Sequence, residues 1–520
     1  MIVPAGLLAL VMAVQVPPPD AAANLSGELR RQERAILDGE SGRLKGLADR
    51  LSREGRADAA AEVRRGLPTP PSPLGASKFR PLPEVVTRRA TGLANVPAGG
   101  DARPDWRAEL AAVRHASGSA LFALANRAAA SEPRHFALAD VCLRAVLDRE
   151  PDHPEARRLL GFVPHEGGWA TPYAVGQLRN GMALHPTFGW VKAGWLPHLA
   201  RGELPAPPSG GWKAERWLPA DDADALRRDW GKGWNIYTEH FWIKTNVPFS
   251  EAIQFGRQLE AFHDLFFSVL ADVFGERLPL AQRFKDRKVV GEKTLVPHRV
   301  DYFATREEFV THIRPFQGAD AERCLGVYIP PLPGKKRRAP AYFFRDPGGQ
   351  LDVTATLYHE VSHQLLFETG SAGLNDYEKN QGDFWVFEGM GTYFESLVTR
   401  SDGAIEIGGR VGRRIEAARE SLVRKQLMIP LADFVKLDQR RFNDPVDVFL
   451  HYQQADALAT LLMDGNGCAY RENFLDYFKD AYHGRLRRNT GRRLDDRLAK
   501  TYPEVGRELL DYLGQAPAAD

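Results

Sequence analysis

The stretch from Val353 to Phe367, VTATLYHEVSHQLLF, constrains this chain most, because it sets His359, Glu360 and His363 in the order His-Glu-x-x-His. In a helix, residues four apart lie one turn apart on one face. Both imidazoles can then reach a single ion, while Glu360 swings toward a water beside it. Val353, Leu357, Val361 and Leu365 recur every four residues as an apolar stripe, which puts the histidines on roughly the opposite side, facing a cleft. Two histidines leave a zinc ion one protein ligand short, with the fourth position left to water. The candidate third ligand is Glu388, in FWVFEGMGTYFES. There Phe387, Met390, Phe394 and Leu397 form one helical stripe, and Trp385, Glu388, Thr392 and Glu395 another. Gly389 and Gly391 each cost about 1 kcal/mol relative to alanine in a helix interior, and their bareness suits two helices meeting over an ion. Glu378, in the intervening LNDYEKNQGD, is the alternative ligand.

With 520 residues the chain has room for several domains. Hydrophobic residues at 43% and charged residues at 26% exclude wholesale disorder and a multispanning membrane protein. Lys plus Arg number 69 against 67 Asp plus Glu, so no global field favours nucleic acid or an anionic membrane. Cys142, Cys324 and Cys468 are far apart and form neither a disulfide framework nor a metal-ligand spacing, and are expected to be core thiols. An apolar run from Ile2 to Val14 is followed by prolines and small residues, and Val11–Ala13 and Ala21–Ala23 both have the small-x-small form of a cleavage site. Residues 1–23 therefore resemble a signal peptide, and export to the periplasm, the cell surface or the medium is expected, with the cytoplasm the alternative. The run is too short to span a bilayer, so no integral membrane segment is expected beyond this leader.

Residues 24–66 are charged and rich in helix formers, broken at Gly39 to Gly42, and read as a helical hairpin. The prolines that follow mark a linker over 67–105. A helical pattern returns over 106–165, where Phe136 to Phe162 resembles the second half of a tetratricopeptide repeat. About one and a half units are visible, fewer than a solenoid needs, so this part reads as a small helical domain able to dock a protein partner. Residues 166–235, rich in Trp, Gly and Pro, read as an irregular connector. The last region, 236–515, opens with an extended run, TEHFWIKTNV, and a helix from about Ser250 to Phe274. HRVDYFA then reads as a strand, REEFVTHI as a helix and AYFFRD as a strand. An exposed AYFFRD strand beside the ion would put Tyr342 and Phe343 on the substrate side, pairing with an extended peptide. The basic run Lys335 to Arg338 reads as a solvated loop tip. Asp444 and Pro445 are placed to open a helix running to Met463, in DPVDVFLHYQQADALATLLM.

At His359-Glu360-x-x-His363 followed by Trp385-x-x-Glu388-Gly389-x-Gly391-x-Tyr393-Phe394-Glu395, the chain resembles the gluzincin metallopeptidases, particularly their aminopeptidase N-like and peptidase-MA-like groups. The resemblance covers roughly residues 237–515. It implies an α+β fold, mostly helical, with a zincin-like domain of small mixed sheet and active-site helices. It also implies one Zn²⁺ per chain on His359, His363 and Glu388, Glu360 as general base and Glu395 behind a ligand. Tyr452, at the head of the 444–463 helix, would be the oxyanion donor, with His451 the competing one. The His363 to Glu388 interval is longer than in the aminopeptidase N-like pattern. AYFFRD also lacks the glycine, methionine and glutamate with which aminopeptidases grip a free N-terminus. The implied activity is thus zinc-dependent cleavage of a peptide substrate, as an endopeptidase rather than an aminopeptidase. An exported, non-catalytic scaffold is the rival reading, and hydrolysis of a non-peptide amide a third.

Overall fold

The computed structural model describes residues 19–68, 77–87, 105–207, 216–286, 296–331, 338–369, 382–410, 412–486 and 490–515. Residues 1–18 of the expected leader, Glu378, and the basic run before Arg338 lie outside them. The architecture is α+β and mostly helical. No described helix is long and apolar enough to cross a membrane.

The chain opens with α1 (Pro19–Arg53) and α2 (Ala57–Arg65). The expected break at Gly39 to Gly42 is absent, and the chain turns instead at Gly55, whose φ is +73°. No heavy atom lies within 4 Å of a Cβ built at Gly39, Gly42 or Gly46, so these glycines sit on an open face. Each costs the helix about 1 kcal/mol. Burial of Leu29, Leu44, Leu47 and Leu51 returns about 1.5–3 kcal/mol per side chain, and the packing wins. Next come α3 (Trp106–Ala130) and α4 (Phe136–Arg149), which pack against each other. Within α4 the Arg149 guanidinium forks onto Glu40 of α1, Nε lying 2.8 Å from Oε2. Glu40 is 1% exposed and Arg149 8%. Removing one partner strands a buried charge, so Glu40→Ala is expected to cost about 3–5 kcal/mol. Urea unfolding of the full chain measures this, and a loss below 1 kcal/mol would show that the pair does not brace α1.

The prolines hold the described parts of 67–105 to very short strands. Ser77–Phe79 pairs antiparallel with Ile405–Ile407, and Val85–Val86 with Trp169–Ala170. The connector is more regular than its sequence implies. Hairpins Val163–His165/Gly168–Ala170, Met182–His185/Gly189–Lys192 and Glu203–Pro205/Trp217–Pro219 are each followed by a short helix.

The C-terminal region contains a mixed sheet of five strands: β1 (Trp234–Tyr237), β2 (Phe241–Thr245), β3 (His298–Phe303), β4 (Gly326–Tyr328) and β5 (Ala341–Phe344). Their order is β4-β5-β3-β2-β1, with β3 parallel to β2 and β5 and both outer pairs antiparallel. The AYFFRD strand, β5, is therefore interior, and the expectation of an exposed strand there is corrected. Phe343 is wholly buried, and Tyr342 packs against His312 and Phe316. Neither is on a free strand edge, because β4 covers β5. It lies so close that a Cβ at Gly326 would come 2.6 Å from the Phe343 ring.

Helices α5 (Phe249–Val269), α6 (Arg306–Gln317), α7 (Val353–Thr369), α8 (Trp385–Glu395), α9 (Arg413–Ala418) and α10 (Val448–Cys468) complete the frame used below. The opening of α10 is later than expected. Asp444 forms a turn, its Oδ1 accepting from Val446 N at 3.0 Å, and the helix starts at Val448. One hydrophobic core holds Leu121 and Leu143 of the N-terminal helices together with Leu357, Met390 and Leu458. The three cysteines are free thiols, with Cys142 buried in that core and Cys324 and Cys468 half-buried.

Candidate metal centre

Helix α7 turns Val353, Leu357, Val361 and Leu365 into protein, and each is buried. Ser362 Oγ donates to the His359 carbonyl at 2.6 Å, so its polar group is spent inside the helix. Helix α8 lies between α7 and α10, and every residue from Trp385 to Phe394 is buried. Its two glycines meet different neighbours. A Cβ at Gly391 would stand 2.8 Å from the His359 ring, and one at Gly389 would stand 2.9 Å from the Ala455 carbonyl of α10. The missing side chains therefore let α8 approach both partners.

Three side chains converge where these helices meet. His359 Nε2 lies 3.2 Å from Glu388 Oε2 and 3.0 Å from His363 Nε2, and His363 Nε2 lies 3.6 Å from the same carboxylate oxygen. Donors held about 2.0–2.1 Å from a tetrahedral zinc are about 3.3 Å from one another. The residues present thus fit a zinc ion by donor type and by spacing. The electrostatics agree. Burial opposes a charge on His359, yet the Glu388 hydrogen bond and the Glu395 carboxylate outweigh it and push its pKa up to about 10. Burial likewise opposes the Glu388 charge, but His363 and the His359 hydrogen bond hold that carboxyl well below its ordinary range. The pocket is built to hold positive charge between carboxylates.

Behind these three donors, His359 Nδ1 is 2.8 Å from Glu395 Oε1, off the line of a well-directed hydrogen bond. Glu395 is gripped from its other side by Arg414 of α9, whose Nη2 donates to Oε1 at 2.7 Å and whose Nε donates to Oε2. Glu360 accepts from the backbone N–H of Tyr328 on β4 at 2.9 Å. Burial lifts its pKa above the ordinary carboxylate value, against the pull of His359 and His363. Tyr452 faces the same space, its ring centroid 6.1 Å from that of His359. Its hydroxyl bonds Glu388, and burial with that carboxylate's charge raises its pKa well above the usual phenol value, keeping it a proton donor. His451 is placed elsewhere. Its Nδ1 lies 2.7 Å from the Phe442 carbonyl and its ring packs on Phe434 and Phe442.

Tyr328 and Arg414 were not legible in the sequence. Tyr328 acts through its backbone on a strand of three residues, and Arg414 stands on a short helix after Gly412 with no spacing relation to the motif. Two further groups of histidines and carboxylates occur among the described residues. In one, His240 is hydrogen-bonded to Glu260 at 2.6 Å and its ring stacks on His263, centroids 3.7 Å apart. In the other, Asp272 Oδ1 accepts from Phe136 N and Ala137 N at the start of α4.

No curated protein matches the chain. Residues 353–479 are similar to a family described as "Protein of unknown function (DUF1570)", and the matched segment opens on the first residue of α7 and encloses His359, Glu360, His363, Glu388, Glu395, Arg414 and Tyr452.

Proposed function

We propose that the chain is a zinc-dependent endopeptidase of gluzincin type, with His359, His363 and Glu388 holding the ion. The observation that carries this reading is the convergence of those three donors at 3.0, 3.2 and 3.6 Å beside the Glu360 carboxylate. A zinc ion there supplies Lewis acidity to the scissile carbonyl and lowers the pKa of a water toward about 7. Glu360 takes the proton of the attacking water as the C–O bond forms, and then gives it to the leaving nitrogen as the amide C–N bond breaks. Tyr452 donates its hydroxyl proton as a hydrogen bond to the oxyanion that develops on the carbonyl oxygen. The edge strand β4 lies next to Glu360 and offers backbone for an extended peptide.

The test is proteolysis of denatured casein by zinc-loaded full-length protein, with and without chelator. Cleavage at internal bonds that stops on chelation and returns with zinc is expected. Release of single N-terminal residues would replace the endopeptidase reading with an exopeptidase one. Within the site, Tyr452→Phe is expected to lower kcat by about 10²- to 10³-fold with KM little changed. An unchanged kcat would remove Tyr452 from the chemistry.

A further inference from the structure

Arg414 lies beside both Glu395 and Tyr452. Its guanidinium holds both oxygens of Glu395, and its Cζ stands 5.5 Å from the Tyr452 ring centroid. Glu395 in turn is 11% exposed and presents Oε1 to His359 Nδ1. That same oxygen receives the Arg414 Nη2 donor at 2.7 Å, so the guanidinium fixes where the carboxylate sits against the imidazole. A carboxylate behind a metal-binding histidine sets the ring's tautomer and orientation and raises its basicity, and its loss typically weakens metal binding about 10- to 100-fold. A planar fork fixes a carboxylate in two directions, which an ammonium cannot do.

We propose that Arg414 is a positioning residue of the zinc centre, clamping Glu395 against His359 while flanking Tyr452. The inference rests on the zinc reading above and adds a residue that no part of the His-Glu-x-x-His pattern contains. Although Arg414 is 38% exposed, its charge is already taken by Glu395, which sets it apart from a residue that would anchor a substrate carboxylate.

The experiment is zinc titration of the full chain against a chromophoric chelator, with cobalt(II) as a second, coloured probe. Arg414→Ala is expected to weaken zinc binding by about 10- to 100-fold and to change the visible cobalt spectrum. Arg414→Lys should fall between this and the unmodified chain, because it keeps the charge and loses the fork. The double change Arg414→Ala/Glu395→Gln should weaken zinc no further than the more severe single change, since both act through one contact. Unaltered zinc affinity and cobalt spectrum in Arg414→Ala, or additive losses in the double variant, would overturn the inference. Should Arg414→Ala fail to fold, Arg414→Lys decides alone, zinc affinity equal to that of the unmodified chain overturning the proposal. An unmodified chain that binds neither metal would instead overturn the zinc reading itself.

Discussion

Replacing Glu360 by glutamine is expected to abolish detectable turnover while leaving about one zinc bound per chain. Glutamine preserves the size and the acceptor oxygen facing Tyr328 N, so the edge strand keeps its contact. It cannot take up a proton. General-base catalysis typically contributes about 10²- to 10⁴-fold, and the loss should fall in that range or beyond it. Glu360 is not among the three converging donors, so metal content should not change. The assay pairs casein cleavage with metal analysis of the same preparation. Retained turnover in Glu360→Gln would sink the mechanism; loss of zinc along with activity would mean that Glu360 belongs to the ligand set.

His363→Ala should reduce bound zinc from about one per chain to nearly none. Its Nε2 closes the triangle with His359 and Glu388, and two donors do not make a closed zinc site. Binding to the folded state alone stabilises it, by about 4 kcal/mol when free ligand is a thousand times Kd. Chelation should therefore lower the melting temperature of the unmodified chain and leave that of His363→Ala where it was. A folded, unmodified chain that carries no zinc and shows no chelator-dependent melting would favour the non-catalytic scaffold over the hydrolase.

Much of the local structure could be read residue by residue. The strand at His298, the helix at Arg306 and the helix through His359 all follow from short-range periodicity, and the structure places them at those positions. The readings that failed needed information from far along the chain. Gly39 and Gly42 look like a break until Leu44, Leu47 and Leu51 are seen buried on Ala60, Val63 and Trp106. AYFFRD looks like an exposed strand until Gly326–Tyr328, too short to carry an alternation of its own, pairs outside it. The hairpin–helix units of the connector were hidden because their recurring cues, a tryptophan in each hairpin (Trp169, Trp190, Trp217) and a proline at each helix start (Pro172, Pro197, Pro219), come at uneven spacing.

For the centre itself, the division is physical. Two histidines four residues apart share a helix face because 3.6 residues make a turn, and that relation is a local property of the backbone. The apolar stripe at Val353, Leu357, Val361 and Leu365 decides which face is buried, again locally. How near Glu388 comes depends on Gly391 letting α8 close onto His359, and on α10 packing against Gly389 from the other side. The grip of Arg414 on Glu395 and of Tyr328 on Glu360 joins elements whose separation along the chain carries no period. Such contacts arise from packing, where volume and charge are matched in space, and they appear once the helices have been brought together.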